Sequence, residues 1–331
     1  MDNKDRILIT GATGFTGGEV LKYLSQFYDN RTLIGTGRNI SKAKDMEMLG
    51  FRMICGDLTE ENFIPENFSD ITHVVHCAAK SDIWGSYDSF YKNNVVATKN
   101  ILTLPNLKHI IYISTPSIYF NYQNRINIKE SEPLPKKFVN NYSITKYLGE
   151  LLILKHKTPK IKKHIFRPRA IIGAGDTTLM PRLIRAYGEG RLKIIGSGEN
   201  IGDFTSVKNL AHIIHLALEK SSQTEQIVFN VTDDNPVNLW DFINTSLEKQ
   251  SLNPVKKKVP YRLAFAVAAI NEWYNNFFSK NEPVLTRYGI GVLNYSLTLN
   301  IDAAKNLLGY KPIISSDESI DEFVNWKKEI S

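Results

Sequence analysis

Cysteine and long apolar stretches are both scarce in this chain of 331 residues, which contains two cysteines, Cys55 and Cys77. Two cysteines give no disulfide framework in so long a chain, so we expect a reducing, cytoplasmic compartment. We expect both thiols to be buried, because each lies in an apolar run typical of a strand. The longest apolar run, Leu263 to Ile270, is far shorter than the ~20 residues of a membrane span. The first residues also lack the apolar core of a signal peptide.

Charge of one sign is not concentrated in any long segment. Lysine and arginine total 41 and aspartate and glutamate total 34, a net charge of +7. The basic runs are short and have no interleaved aromatic residues, which predicts solvated surfaces and no nucleic-acid partner. A weaker alternative is attraction of these runs to an anionic ligand or a lipid surface. We expect no metal site.

Short apolar runs alternate with helical stretches along the first 170 residues. The runs are Arg6–Thr10, Thr32–Thr36, Arg52–Cys55, Thr72–Cys77, Lys108–Ser114 and His164–Arg167. Because they are apolar throughout, they predict strands buried on both faces of a parallel sheet. The segments between them are long enough for crossover helices, such as Glu19–Phe27 and Tyr142–Leu154. This order predicts an α/β fold with a doubly wound parallel sheet, the Rossmann arrangement.

The alternation stops after residue 170, which suggests two unequal parts. Residues 1–170 are predicted to form the dinucleotide-binding Rossmann domain, with its sheet completed by a strand near Val228–Val231. Residues 171–227 and 232–331 contain short helices and glycine-rich loops. We expect them to form a smaller C-terminal subdomain that binds the substrate.

A glycine-rich turn follows the first predicted strand and opens the first helix. Gly11 allows the tight turn, Gly14 lets the backbone approach a pyrophosphate, and Gly17 lets the helix pack closely on the sheet. The helix N-terminus then offers free N–H groups to the phosphates. The residues predicted to bind the cofactor here are Gly11, Thr13, Gly14, Phe15, Thr16 and Gly17.

The ends of the next strands predict which cofactor is used. NAD-specific sites place an acidic residue after the second strand, but this segment has Arg38 and no carboxylate. A guanidinium can donate two parallel hydrogen bonds to a 2′-phosphate, so NADP(H) is favoured over NAD(H). Asp57 and Leu58 follow the third strand and are placed to meet the adenine. The segment Ala78, Ala79 and Lys80 after the fourth strand is expected to lead towards the nicotinamide.

A tyrosine and a lysine are spaced for acid–base chemistry. Tyr142 and Lys146 lie four residues apart, so on a helix they share one face, and a nearby ammonium lowers a phenol pKa. Such a phenol can donate a proton to a carbonyl oxygen or remove one from an alcohol. Ser114, Thr115 and Ser117 end the preceding strand, and each is a candidate to hydrogen-bond the substrate oxygen.

Together these motifs resemble the extended short-chain dehydrogenase/reductase family over essentially the whole chain. The family's tyrosine and lysine match Tyr142 and Lys146, and its catalytic hydroxyl position falls on Thr115. The resemblance also implies that Asn94 and Pro168 lie at the cofactor. It further implies hydride transfer at a carbonyl or alcohol carbon, with Lys146 binding the ribose.

Segments around Trp84, Arg182 and Pro283 resemble the 3β-hydroxysteroid dehydrogenase branch of that family, and among its members the bacterial 2-alkyl-3-oxoalkanoate reductases. This resemblance implies a small hydrophobic substrate that is a ketone or a secondary alcohol. The residues that it places at the substrate are Ser81, Trp84, Ser117, Tyr119 and Arg182.

Three other functions stay open at this point. They are oxidation of a 3β-hydroxysteroid, nucleotide-sugar epimerisation or dehydration, and cofactor binding without catalysis. Arg182, Arg185 and Arg191 would suit a sugar diphosphate, whereas the aromatic-rich segment Tyr261–Phe278 suits an apolar ligand. The helical spacing of that segment predicts either a helix packed on its own core or an interfacial helix in peripheral contact with a membrane. A homodimer is a further possible partner.

Overall fold

The computed structural model describes residues 5–157, 161–220, 226–279 and 282–330. Its strands are β1 Ile7–Thr10, β2 Leu33–Gly37, β3 Arg52–Cys55, β4 His73–His76, β5 His109–Ile113, β6 Arg125–Ile128, β7 Lys162–Pro168, β8 Ile171–Ile172, β9 Ile194–Ile195, β10 Ile201–Gly202, β11 Thr205–Ser206, β12 Val228–Val231, β13 Val237–Asn238, β14 Lys258–Val259 and β15 Leu297–Leu299. Its α-helices are α1 Phe15–Leu24, α2 Ile40–Met48, α3 Phe63–Asn67, α4 Tyr87–Tyr91, α5 Ala97–Ile101, α6 Asn141–Lys155, α7 Leu179–Gly188, α8 Val207–Glu219, α9 Leu239–Glu248, α10 Tyr261–Tyr274, α11 Arg287–Val292 and α12 Ser316–Glu329.

Seven strands form one parallel sheet in the order β3-β2-β1-β4-β5-β7-β12. The order reverses between β1 and β4, which makes that point the ligand-binding crevice of a doubly wound sheet. The predicted Rossmann arrangement is therefore confirmed. Smaller sheets lie beyond it, the largest being β13-β10-β15-β6.

Alternate residues of the buried strands face opposite layers of helices. In β1, Ile7 and Ile9 pack with α1, α2 and α8, whereas Leu8 packs with α3, α5 and α6. This two-sided burial explains why the strands are apolar throughout. The sheet is held as the middle of three layers, with its carboxyl edge left free for a site.

The two parts of the chain interlock more than the division at residue 170 implies. Strand β6 lies in the first 170 residues but pairs with β15 of the smaller sheet. Helix α8 lies beyond residue 170 but packs in the Rossmann core through residues such as Leu210 and Ile214. Both elements make contacts between distant parts of the chain, which local periodicity does not reveal.

The cysteines differ from the expectation of burial. Cys55 is exposed and Cys77 is partly exposed. Cys55 ends β3, the edge strand of the sheet, where one side has no neighbouring strand to cover it. An apolar run predicts a strand but not whether that strand lies at the edge.

Helix α10 leaves its apolar residues in solvent. Ile270 is 66% exposed, Trp273 56% and Phe277, in the turn after the helix, 69%, whereas Ala264, Ala268 and Glu272 are buried. The prediction of a helix packed on its own core therefore holds for part of the stripe. Ala264 and Ala268 lie in a hydrophobic core and Phe265 packs against it, whereas most of the larger apolar residues face solvent. None of the described helices is long and apolar enough to cross a membrane.

Three buried histidines lie on adjacent strands. His76 on β4 contacts the hydroxyls of Thr10 and Thr98, at 2.7 and 3.1 Å. On β5 and β7, Nε2 of His109 lies 2.8 Å from Nδ1 of His164. Burial lowers the pKa of all three, to about 3 for His76 and His164. They are therefore neutral at pH 7.

We predict that acid unfolds the protein through these histidines. Their pKa values are about 6.5 in the unfolded chain and lower in the folded one, so the unfolded chain binds more protons as pH falls below 6.5. The free energy of unfolding should be lower at pH 5 than at pH 7 by about 2 kcal/mol for each of these histidines. Urea unfolding at pH 7 and pH 5 measures this loss. A His109→Asn/His164→Asn variant should show a shallower pH dependence; an unchanged slope would contradict the assignment.

Candidate active site

The glycine turn between β1 and α1 has the geometry of a phosphate site. Gly11 has a φ of +69°. A Cβ on this residue would lie only 3.0 Å from the backbone Cα and N atoms of Ala78. A Cβ on Gly17 would lie 2.4 Å from the carbonyl oxygen of Gly11. Helix α1 begins after Gly14 with no side-chain cap, so its first N–H groups remain available to an anion. Thr13, Phe15 and Thr16 complete this turn.

The ends of β2 and β3 bring Arg38 and Asp57 together. Nη1 of Arg38 donates to Asn93 Oδ1 at 3.1 Å and lies 3.9 Å from an Asp57 oxygen. Burial opposes ionisation of Asp57, but a hydrogen bond from Thr59 and the Arg38 charge outweigh it and lower its pKa. Arg38 is 65% exposed, so its other donors are free to meet a ligand. Leu58, beside Asp57, is buried.

The loop after β4 is fixed by Asn94. Its amide accepts from the Lys80 N–H at 2.7 Å, and donates to the Lys80 carbonyl at 3.1 Å and to Thr145 on α6 at 3.0 Å. The Asn94 side chain therefore braces the segment from Ala78 to Lys80 against α6. Ala79 lies in this braced segment, facing the crevice between β1 and β4.

The predicted catalytic residues meet at the start of α6. Burial raises the pKa of Tyr142 to about 12, while a hydrogen bond with the Thr115 hydroxyl acts to lower it. Thr115 is buried directly after β5, and its hydroxyl donates to Ser117 Oγ at 3.1 Å. Ser114 is also buried, but its hydroxyl has no partner among the described residues. Thr115 is thus the hydroxyl of the three that the structure brings to Tyr142.

Lys146 lies on the same helix but its ammonium is directed elsewhere. Nζ lies 4.0 Å from the ring centroid of Tyr112. Burial lowers the Lys146 pKa to about 7, although Glu150 acts to raise it. The pKa of Tyr142 is raised mainly by burial, and the Thr115 hydroxyl acts to lower it. The effect of Lys146 on the phenol stays a prediction.

A chain of hydroxyls continues from Tyr142 to a residue that the sequence motifs missed. Ser117 Oγ lies 2.7 Å from the Tyr288 hydroxyl, so Tyr142, Thr115, Ser117 and Tyr288 are linked in series. Tyr288 belongs to α11, far along the chain. The one sequence signal for Tyr288 is its position directly after the segment around Pro283 and Arg287.

Helix α6 is tied to β7 by a buried ion pair. Arg167 donates through Nε and Nη2 to the two Glu150 oxygens at 2.9 and 2.6 Å. Tyr119 accepts from Arg167 and donates to Asn230 at 3.2 Å, and it is fully buried. Tyr119 is therefore a core residue here. Pro168, the next residue of β7, is buried at the carboxyl edge of the sheet.

A cavity of about 830 Å³ opens beside the hydroxyl chain. Its walls combine apolar rings with a few polar groups: Trp84, Phe90, Tyr122, Phe138, Glu272, Asn275, Asn276, Arg287 and Tyr288. Trp84, which was expected to contact the substrate, thus lines the cavity. Glu272 accepts from Arg287 N and Nε at 2.7 and 2.5 Å, which neutralises that cation.

Four of the five residues expected at the substrate, Ser81, Ser117, Tyr119 and Arg182, lie outside this cavity lining. Ser81 is exposed. Nη2 of Arg182 lies 3.6 Å from Asp82 and 3.6 Å from Glu282, so it links the loop after β4 to the C-terminal part. Arg182 therefore spans the cleft as an ion-pair bridge.

The sequence matches the NAD dependent epimerase/dehydratase family over residues 7–232. The chain belongs to this family. It is thus an extended short-chain dehydrogenase/reductase and an NAD(P)-dependent oxidoreductase.

Curated relatives are similar over nearly the full length. The chain is 29% identical to a 2-alkyl-3-oxoalkanoate reductase of Shewanella oneidensis, over 94% of this chain and 84% of that protein. It is 29% identical to a decarboxylating sterol-4-alpha-carboxylate 3-dehydrogenase of Candida albicans, over 98% and 97%. The Escherichia coli protein YbjS is 28% identical over 98% of both chains.

Solved structures share the fold of this oxidoreductase. A UDP-glucuronic acid 4-epimerase from Bacillus cereus in complex with UDP-glucuronic acid and NAD superimposes with a TM-score of 0.76. It covers 98% of this chain and 100% of its own, at 22% identity. This likeness establishes the architecture.

We predict that Gly17→Ala greatly weakens cofactor binding. The new Cβ would meet the Gly11 carbonyl and push α1 away from the turn, with a rise in NADPH dissociation constant on the order of tenfold or more. Fluorescence titration measures it. Gly188→Ala is the matched control, because nothing lies within 4 Å of its Cβ position. Equal affinity in the two variants would contradict the placement of the phosphates.

Proposed function

We propose that this oxidoreductase uses NADPH to reduce a hydrophobic 3-oxo acid, of the 2-alkyl-3-oxoalkanoate type, to the 3-hydroxy acid. The observation that carries this proposal is the position of Tyr142, whose ring centroid lies 6.5 Å from that of Phe90 in the wall of a cavity rich in aromatic rings. The named substrates of two relatives support it. In both, the oxygen-bearing carbon is next to a carbon that carries a carboxylate.

The described residues fit a nicotinamide dinucleotide. The turn at Gly11–Gly17 would hold the pyrophosphate, Asp57 and Leu58 the adenine, and Lys80 and Pro168 would flank the nicotinamide. When bound, the cofactor supplies the hydride that converts the carbonyl carbon to an alcohol carbon.

Tyr142 supplies the proton for the carbonyl oxygen. Because burial raises its pKa to about 12, the phenol is protonated at pH 7 and serves as a donor. The carbonyl oxygen gains this proton as the carbon gains the hydride, and the tyrosinate is then reprotonated from water. Thr115 holds the oxygen by a hydrogen bond. Lys146, one helical turn after Tyr142, would have to turn its ammonium away from the Tyr112 ring to bind the ribose.

Oxidation of a 3-hydroxy sterol carboxylate is the second candidate, and it is the same chemistry in reverse. The Candida albicans relative favours it. A nucleotide-sugar epimerase needs free cations for a diphosphate. Here Arg287 is neutralised by Glu272, and Arg182 is bound to two carboxylates. These two guanidiniums are already paired, and the aromatic walls of the cavity favour an apolar acid over a sugar.

We predict that Tyr142→Phe lowers kcat by roughly 10²–10⁴-fold, because the proton donor is lost. The NADPH dissociation constant should stay unchanged. Tyr147→Phe is the matched control, since Tyr147 lies on the same helix with its ring against Phe138. Stopped-flow measurement of NADPH oxidation decides it, and near-normal turnover in Tyr142→Phe would refute the mechanism.

The preference for NADPH rests on Arg38. No carboxylate follows β2, and the guanidinium is exposed at the strand end. Arg38→Ala should raise the dissociation constant of NADPH by roughly 10–100-fold and leave that of NADH nearly unchanged. Arg52→Ala, at the exposed start of β3, is the control. Tighter binding of NADH than of NADPH by the native protein would overturn the preference.

The exposed face of α10 supports peripheral contact with a lipid surface. Leu263, Ile270, Trp273 and Phe277 are exposed in succession, while Glu272 and Asn275 of the same segment line the cavity. An apolar substrate would thus pass from the lipid to the cavity along one helix. The exposed Lys256–Lys258 and Arg262 nearby complement anionic headgroups.

We predict that the protein sediments with anionic phosphatidylglycerol vesicles. Phe277→Ser/Phe278→Ser should reduce the bound fraction severalfold, because both rings insert into the interface. Met48→Ser removes an equally exposed apolar side chain from α2 and should have no effect. Absence of vesicle binding would contradict the lipid contact. A dimer in solution that the double variant dissociates would show that the exposed face of α10 binds a second copy of the chain.

A further inference from the structure

Arg169 is half-buried, and its Nε is buried without a hydrogen-bond partner among the described residues. It follows β7 directly, and its backbone is fixed: its N–H donates to Val231 O at 3.2 Å and its carbonyl accepts from Thr205 Oγ1 at 2.7 Å. Its Nε is buried and unpaired among the described residues, where its side chain also forms no ion pair. The side chain is thus held in place with its donors unused.

Arg167 lies two residues earlier on the same face of the strand, and its guanidinium, unlike that of Arg169, is paired with a carboxylate. It makes two bonds to Glu150, and its pKa is raised although burial opposes this. For Arg169, burial dominates and lowers the pKa. A buried N–H donor without a partner is costly, and an anion bound at Arg169 would satisfy it.

The surroundings of Arg169 place that anion next to the reacting centre. Its electrostatic neighbours are Tyr288 and Asp203. Tyr288 lines the cavity and begins the hydroxyl chain that leads through Ser117 and Thr115 to Tyr142. Strand β7 pairs in parallel with β5, with Phe166 opposite Ile113, so Arg169 follows the carboxyl end of β7 beside the strand that leads into Thr115. An anionic group at Arg169 would therefore lie at the same edge of the sheet as the carbonyl that Tyr142 protonates.

Asp203 does not occupy all the N–H donors of the Arg169 guanidinium. One of its oxygens accepts from Leu299 N at 2.6 Å, and the other has no hydrogen-bond partner among the described residues. A guanidinium has five N–H donors, so a nearby carboxylate still leaves several for a ligand.

We infer that Arg169 binds the substrate carboxylate and so selects 3-oxo and 3-hydroxy acids over neutral ketones and esters. A guanidinium pairs with a carboxylate through two parallel hydrogen bonds, which also orients the ligand. In a 3-oxo acid the carboxylate is separated from the carbonyl by a single carbon, which matches a cation beside the hydroxyl chain. The inference rests on the proposed function, since it names the group that this site recognises.

The test compares an acid with its own methyl ester in the full-length protein. A 2-alkyl-3-hydroxyalkanoate and its methyl ester are titrated calorimetrically in the presence of NADP+, and their turnover is followed separately. We expect the native protein to bind the acid more tightly. Arg169→Gln should weaken binding of the acid by roughly 10–100-fold and that of the ester by less than about twofold. Arg169→Lys should fall between, because it keeps the charge but not the paired donors.

Two controls separate loss of the carboxylate contact from a general change in charge and from misfolding. Arg31→Gln, a surface change before β2, removes the same charge and should alter binding of neither ligand. An unchanged NADPH dissociation constant shows that each Arg169 variant is folded at the cofactor site.

The outcomes distinguish the inference from the proposed function. Equal loss for acid and ester, or no loss for the acid, overturns the role of Arg169, even if both are turned over. Arg169-dependent binding of the acid without any turnover keeps the carboxylate site and refutes the reductase. Arg169-dependent binding of UDP-glucose in place of the acid assigns the cation to a diphosphate and overturns the inference.

Discussion

The buried ion pair between Glu150 and Arg167 is the constraint on which the rest of the site depends. It joins α6, which carries Tyr142 and Lys146, to β7, which ends at Pro168 and leads into Arg169. Arg167 also holds Tyr119, in the turn that follows Thr115. One guanidinium therefore sets the positions of the proton donor, the hydroxyl that binds oxygen and the strand end beside the substrate. Loss of either partner would leave a buried charge and is strongly destabilising.

Around this pair, the two ends of the cavity do different work. In the proposed reaction Tyr142 and Thr115 would act on the carbonyl oxygen, and Arg169 would meet the charged group of the substrate. The apolar remainder would pack on rings such as Trp84 and Phe138. Helix α10 contributes Glu272 to the wall, the segment after it contributes Asn275 and Asn276, and large apolar residues such as Ile270 and Trp273 face outwards.

Local patterns in the sequence were enough to predict the sheet and the glycine turn. Each depends on features within about ten residues: an apolar strand, a glycine spacing, a helical repeat. Tyr288, the Glu150–Arg167 pair and the pairing of β6 with β15 join segments far apart in the chain, so no local pattern shows them. Periodicity showed that α10 has an apolar stripe but not which way it faces, and it did not show that Tyr112 holds the Lys146 ammonium.

Transfer of hydrogen from cofactor to substrate is the central claim, and an isotope measures it directly. The protein is incubated with a 2-alkyl-3-oxoalkanoate and NADPH deuterated at the transferable C4 position, and the product is analysed by mass spectrometry and NMR. The account predicts one deuterium on C3 of a 3-hydroxy acid and one NADPH consumed per product. An epimerase or dehydratase would return the hydride to its cofactor, so product without deuterium, or turnover without net NADPH oxidation, would contradict it.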